Sequence, residues 1–339
     1  MTGKKLIAGP CSAESEEQLL KTAEGLAGLG VEYFRAGLWK PRTRPGCFEG
    51  VGEKGLGWMR KVKEEFGMKI GTEVAFKEHV RLCLDAGFDM VWLGARTTSN
   101  PFLVQEIADE LRGSETVVFV KNPINPDVDL WIGAIERLKG AGVSNIGTIH
   151  RGFSSYEKIK YRNAPGWQIV TEFRRRCPDV PVYCDPSHLA GSRELIPEVC
   201  QWAMDLGFDG LMIESHYNPS SALSDARQQF TPQDLGLLLE KLVEKNSEIQ
   251  DDDLNVELSG YRSEIDAIDE QILEVLGKRM EVSRALGSFK KEHNVSVIQK
   301  TRWDEVLSAV SSNAEKYGLH EEFVKSIFNL IHDASIEEQ

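Results

Sequence analysis

Nine ionisable side chains, scattered between residues 11 and 225 of this 339-residue sequence, are of types that could do chemistry together. Cys11, His188, Glu214 and Asp225 offer a thiolate, an imidazole and two carboxylates, a sulfur, nitrogen and oxygen set suited to a borderline divalent cation. Arg35, Lys40, Arg96, Lys121 and Arg151 are cations that would repel one another if gathered without a counter-ion, so their convergence implies a phosphorylated or carboxylated ligand. Lys40-Pro41-Arg42-Thr43 is an anion-handling stretch in its own right. Pro41 fixes one backbone torsion and biases Lys40 toward extended geometry, so the two charges hold separate directions.

The elements that must position these groups are short apolar runs separated by helical patterns. Strands are expected at Lys4–Ala8, Val31–Arg35, Lys69–Glu73, Asp89–Leu93, Thr116–Val120, Asn145–Ile149, Val180–Cys184 and Asp209–Ile213. None shows the clean alternation of a one-sided sheet, as befits strands buried on both faces. Helices are expected at Glu16–Leu29, Gly55–Phe66, Lys77–Ala86, Phe102–Leu111, Leu130–Lys139, Glu157–Tyr161 with Gly166–Arg176, and Glu194–Leu206. Eight such repeats predict a (β/α)8 TIM barrel. The alternative is a doubly wound open sheet, but no G-x-G-x-x-G follows the first strand. A barrel demands chemistry where strands end. Cys11, then Arg35 and Lys40, Glu73, Arg96, Lys121, Arg151, Asp185 and His188, and Glu214 follow strands one to eight in that order. Each alone would pass as a solvated loop residue; together they mark one rim.

Beyond about residue 245 the pattern changes. Residues 246–255 are acidic and polar and read as a linker between a barrel at 1–245 and a helical domain at 256–339. A single helix is expected from Val256 to His293, with apolar positions such as Ile265, Ile272 and Val275 at three- and four-residue spacing, followed by helices at 300–316 and 321–336. A helix this long cannot bury its stripe alone and implies a bundle or a second copy of the chain. Arg279 and Lys290, eleven residues apart, fall on one face roughly 16 Å apart, while Arg262 points away and suits a partner helix.

The formal charge of −13 argues against nucleic acid or an anionic membrane as partner. No apolar stretch is long enough to span a bilayer, and the amino terminus does not read as a signal peptide. The six cysteines contain no C-x-x-C pair, which suits a reducing, cytoplasmic setting.

Gly9-Pro10-Cys11-Ser12, Lys40-Pro41-Arg42-Thr43, Gly94-Ala95-Arg96, Asp185-Pro186-Ser187-His188, Glu214-Ser215-His216 and Leu223-Ser224-Asp225 resemble, in order and spacing, the motifs of 3-deoxy-D-arabino-heptulosonate 7-phosphate (DAHP) synthases over about residues 4–230. The likeness is to the compact type I beta branch, with no regulatory domain ahead of the first strand. The resemblance implies that Cys11, His188, Glu214 and Asp225 hold a divalent metal ion, Mn2+ or similar, and that Lys40, Arg96, Lys121 and Arg151 surround phosphoenolpyruvate. It also implies that Arg35 lies near the phosphate of phosphoenolpyruvate and that Arg42 and Thr43 seat erythrose 4-phosphate. Glu73 or Lys121 would activate the attacking water. The related synthase that uses arabinose 5-phosphate resembles Lys-Ala-Asn-Arg at the second loop, where this chain has Lys-Pro-Arg-Thr. A metal-free aldolase using Lys121 as a Schiff base is disfavoured by Cys11 and His188.

Residues 256–339 resemble the all-helical chorismate mutase family at Arg262, Arg279, Lys290, Arg302, Ser335 and Gln339. The resemblance implies a three-helix domain, an intertwined homodimer with Arg262 entering the partner's pocket, and rearrangement of chorismate to prephenate. Trp303 follows Arg302 where the family commonly has glutamate, and Gln299 stands where an aspartate can occur. The expectation is a bifunctional enzyme whose mutase domain also senses prephenate or chorismate, with a dead dimerisation and sensor module as the alternative.

Overall fold

In the computed structural model, which describes residues 5–42, 46–156, 159–245, 252–297 and 300–338, the chain divides into two compact units, Met1–Ser247 and Glu248–Gln339. In the first, strands β1 (Lys5–Gly9), β2 (Val31–Arg35), β3 (Lys69–Val74), β4 (Met90–Leu93), β5 (Val117–Lys121), β6 (Ile146–His150), β7 (Val182–Cys184) and β8 (Gly210–Glu214) pair in sequence order. Parallel pairing of β8 with β1 closes the ring, which excludes the open sheet. Every strand bound lies within two residues of its expected position.

The strands are helped into a ring by the sizes of their inward side chains. Ile7, Tyr33, Met90, Trp92, Phe119, Tyr183 and Met212 fill the barrel, and glycine stands where a large neighbour needs room. A Cβ on Gly147 would lie 2.5 Å from the Phe119 ring, so the small residue makes space for the large one. The outward residues, such as Phe34, Val91, Val118 and Val182, join the larger core beneath the helices.

The surrounding helices are α1 (Glu16–Leu26), α2 (Lys54–Phe66), α3 (Lys77–Asp85), α4 (Ala95–Thr98), α5 (Pro101–Glu110), α6 (Val128–Gly140), α7 (Trp167–Arg176), α8 (Pro186–Ala190), α9 (Ile196–Asp205) and α10 (Pro232–Lys241). Ser15, Asn100, Asp127, Asp185 and Thr231 cap α1, α5, α6, α8 and α10 by accepting from backbone N–H groups of the first turn. One expected helix does not appear among the described residues. Of Glu157–Tyr161, the first two residues lie outside the described residues, and Ile159–Tyr161 form a loop. Phe153 and Ala164 exchange two backbone hydrogen bonds of 2.8 Å, which tie the two ends of the stretch together.

The second unit holds α11 (Asp252–Glu292), α12 (Lys300–Ala314) and α13 (Glu321–Glu337). Asp252–Asn255, expected as the end of the linker, open α11 instead. The helix carries an unburied apolar stripe, with Ile265 57% and Ile272 50% exposed.

Candidate active sites

The ends of the barrel strands bring the sulfur, nitrogen and oxygen set together. Glu214 is the last residue of β8, His188 sits in α8 just beyond β7, and Cys11 follows β1. Asp225 completes the set from a left-handed backbone conformation, φ 46°, that places it over the barrel mouth. One ligand atom from each of the four lies within 4.8 Å of the others. Cys11 Sγ donates to Asp225 Oδ2 at 3.4 Å and accepts from Lys40 Nζ at 3.0 Å.

Around them runs a scaffold that fixes each donor. Gln228 Nε2 donates to Glu214 Oε2 at 2.7 Å, and the Ser187 hydroxyl accepts from the Glu214 N–H at 2.9 Å. The Gln229 side-chain oxygen accepts from the Cys11 N–H at 2.9 Å, while Ser12 and Ser224 join the two loops hydroxyl to hydroxyl. His188 Nδ1 lies 2.8 Å from Asp185 Oδ2 without a hydrogen bond between them, and its Nε2 lies 3.8 Å from Glu214 Oε1. Soft and hard donors that converge in this way would suit a divalent cation. Burial, with Glu214 adding and Lys40 opposing, pushes the Cys11 thiol up to about 12, so a cation held here would have to displace its proton. Burial works against charge on Glu214 and Asp225 as well, yet His188 holds both carboxyls below the usual range, helped by Arg35 and Arg162 respectively.

Beside the cluster opens a cavity of about 330 Å³ lined by Lys40, Arg42, Arg96, Arg151 and Arg162 with only Glu73 and Asp225 as carboxylates. Five cations facing two carboxylates make a site for an anion. Neighbours fix three of these cations. Arg151 Nη1 donates to Asn163 Oδ1 at 2.8 Å, and its backbone N–H to Asn122 Oδ1 at 2.7 Å. Burial pushes the Arg151 guanidinium down to about 10, with Asp185 opposing and Arg162 and Arg96 adding, so it remains charged at neutral pH. Arg42 Nε donates to the Phe48 carbonyl at 2.8 Å, and Lys40 N–H to the Glu49 carbonyl at 2.8 Å, which folds the loop back on itself. Thr43 lies outside the described residues.

Two expected cations sit below this wall. Arg35 is 1% exposed, its Nη1 3.0 Å from Glu214 Oε1 and its Nη2 donating to the Cys11 carbonyl at 2.9 Å. Lys121 Nζ lies 2.7 Å from Asp185 Oδ2. Both are buried with a carboxylate because an unpaired charge there would cost several kcal/mol. Arg162 was not foreseen: it donates to Asp225 Oδ1 at 3.1 Å and Gln228 Oε1 at 2.8 Å from a loop with no local signature. Asp185, visible in sequence at the seventh strand end, acquires a contact on each side.

In the helical unit Arg279, Lys290, Arg302 and Ser335 line a separate cavity of about 410 Å³ with Ser283, Trp303 and His332. Arg279 donates to the Ser335 hydroxyl, which donates in turn to the Ile331 carbonyl at 2.7 Å. Lys290 Nζ donates to the Val297 carbonyl at 2.8 Å. Trp303 stacks on His332, ring centroids 3.8 Å apart. Arg262 is exposed and does not line the cavity. Gln299 and Gln339 lie outside the described residues.

Comparison with known proteins agrees with this division. Residues 2–251 match the model of the DAHP synthetase I family, and residues 261–339 that of chorismate mutase type II. The phospho-2-dehydro-3-deoxyheptonate aldolase of Thermotoga maritima is 32% identical over 223 residues, 66% of this chain and 64% of that protein, so the chain spans just under two thirds of it. A 2-dehydro-3-deoxyphosphooctonate aldolase of Wolinella succinogenes is 28% identical, over 70% of this chain and 97% of its own length. The crystal structure of the Thermotoga maritima enzyme superposes with a TM-score of 0.64 at 30% identity, covering 71% of this chain and 68% of that one. A truncated form of the DAHP synthase from the same organism gives 0.61 at 28% identity, covering 71% and 86%. The chain belongs to the DAHP synthetase I family and carries a chorismate mutase type II domain over residues 261–339.

Proposed function

We propose that the barrel unit condenses phosphoenolpyruvate with D-erythrose 4-phosphate to DAHP and inorganic phosphate, and that the helical unit rearranges chorismate to prephenate. What carries the barrel reading is the four-ligand cluster bordering a cavity walled by five cations. Cys11, His188, Glu214 and Asp225 would hold a divalent ion, Mn2+ or similar, whose chemistry in such a site is to polarise a carbonyl oxygen.

The chain's own groups do the rest. Lys40, Arg96 and Arg151 hold phosphoenolpyruvate with C3 toward the aldehyde carbon, and Arg42 with Thr43 seats the sugar phosphate. A C3–C1 bond forms, one water adds at C2, and phosphate leaves. Of the two groups considered for activating that water, Glu73 is favoured. It lines the cavity with Oε2 fixed by the Trp92 indole N–H at 3.0 Å, whereas the Lys121 ammonium is held on Asp185. The relatives include aldolases named for the octulosonate product, and Lys40-Pro41-Arg42-Thr43 favours erythrose 4-phosphate over the longer sugar.

In the helical cavity the cations Arg279, Lys290 and Arg302 compact a dicarboxylate and stabilise its ether oxygen, with no nucleophile required. The exposed stripe of α11 suits a second copy, through which Arg262 would complete the pocket as a homodimer. Prephenate binding there would inhibit the synthase. A second reading, a sensor module without mutase activity, is favoured by the Trp303–His332 stack that occupies the wall where the family commonly places glutamate.

Phosphoenolpyruvate consumption with erythrose 4-phosphate should vanish with chelator and return with Mn2+; consumption that needs arabinose 5-phosphate instead would overturn the substrate assignment. Deleting residues 250–339 should remove inhibition by prephenate. Inhibition that survives the deletion would sink the regulatory part.

A further inference from the structure

Asp185 is a fully buried carboxylate between two groups with different tasks. Its Oδ1 accepts the His188 N–H at 3.0 Å and so caps α8. Its Oδ2 accepts from Lys121 Nζ at 2.7 Å and lies 2.8 Å from His188 Nδ1, a charge contact without a hydrogen bond. The backbone N–H of Asp185 is fixed on the His150 carbonyl at 2.7 Å, so the carboxylate has little freedom to favour either partner by moving.

One oxygen between two nitrogens makes both draw on the same negative charge. A cation on His188 Nε2 adds positive charge to the ring beside Oδ2, which neutralises more of the Asp185 charge and leaves Lys121 less neutralised. Lys121, buried and not itself a lining residue, then adds more positive potential to the anion cavity. The reverse follows by linkage: an anion that draws on Lys121 frees Asp185 to make Nε2 a better ligand.

We propose that Asp185 is a positioning residue that couples the two halves of the barrel site, so that divalent cation and phosphoenolpyruvate each tighten the other's binding through the Lys121–Asp185–His188 chain. The inference rests on the barrel reading above and goes beyond it, since nothing in that reading requires the two sites to communicate through a buried side chain.

The test is a binding cycle on the full-length protein, without turnover. Co2+ is titrated into metal-free protein with and without saturating phosphoenolpyruvate, read by the visible absorption of the thiolate-bound ion, and the ratio of the two affinities is the coupling factor. Wild type should give a factor of about 10, in the ordinary range for coupled sites. Asp185→Asn, which preserves volume, should bring the factor near to 1 and weaken Co2+ binding by about 10- to 100-fold. Lys121→Gln should also collapse the factor while leaving Asp185 on His188, and it serves if Asp185→Asn fails to fold. A factor unchanged in the folded variants overturns the inference, even if affinity falls, because direct attraction between ion and anion would then account for the whole effect. A wild-type protein that binds phosphoenolpyruvate with a factor of 1 overturns it as well. A wild type that binds no phosphoenolpyruvate at all overturns the barrel reading and the coupling with it.

Discussion

The two candidate sites use the same currency, convergent cations, but differ in how their charges are held. In the barrel the charged groups are stacked in two tiers. Arg35 and Lys121 lie buried on Glu214 and Asp185, and above them Lys40, Arg96, Arg151 and Arg162 face the cavity. In the helical unit Arg302 is exposed with Glu305 beside it, and Arg262 is outside the cavity altogether. The contrast is one of architecture. A closed ring of strands directs eight chain segments to one mouth, so a complete set of groups can be assembled within one unit. Three helices offer fewer converging ends, and α11 leaves its apolar stripe uncovered. On the proposed reading the barrel site is complete within one chain, whereas the helical site would take a residue from a second one.

The comparison breaks most readily at the cluster. Cys11→Ala should lower DAHP formation by on the order of 10³-fold, from loss of electrostatic stabilisation, while chorismate consumption is untouched; retained activity and retained metal content would dissolve the metal site. Arg279→Ala should then do the converse, cutting chorismate consumption by on the order of 10²-fold with DAHP formation unchanged. Equal consumption by wild type and variant would make the helical unit a sensor and not an enzyme. A finer contrast lies within the barrel wall. Arg42→Ala should raise KM for erythrose 4-phosphate by about 10-fold, the loss of one charge-assisted contact, with little change for phosphoenolpyruvate. Equal losses would mean that the loop does not divide the two substrates.

The smallest effect separates the stable floor from the working wall. His150, at the end of β6, is buried among the rings of Trp131, Phe153, Trp167 and Phe208, and burial pushes its pKa down to about 3. The unfolded chain therefore binds a proton that the folded one does not between pH 6.5 and about 3. Its stabilising contribution is complete above pH 6.5 and is lost as pH falls, by up to about 1.4 kcal/mol per unit. His150→Phe should flatten the acid side of the Tm–pH profile; an unchanged slope would place the acid sensitivity elsewhere.

Much of this was legible before any coordinates. The strand ends were readable because apolar runs, glycine punctuation and helix caps are local signals, and strand-end chemistry follows once a barrel is inferred. The tied loop at Ile159–Tyr161 was not readable, since its conformation is imposed by the Phe153–Ala164 pairing and not by its own residues. Arg162 was missed for a related reason: nothing adjacent to it forecasts a partner 63 residues away in Asp225.

The sequence by itself determined the kinds of groups present, the order in which strands deliver them, and the family motifs they compose. Only the tertiary structure decided what each charge faces. Arg35 and Lys121 read in sequence as members of the anion-binding wall, yet they lie on Glu214 and Asp185, residues 179 and 64 positions away. Local pattern fixes that a charge stands at a strand end. Whether it points at ligand or at a buried carboxylate depends on which atoms share the barrel floor after closure, and desolvation makes that pairing compulsory.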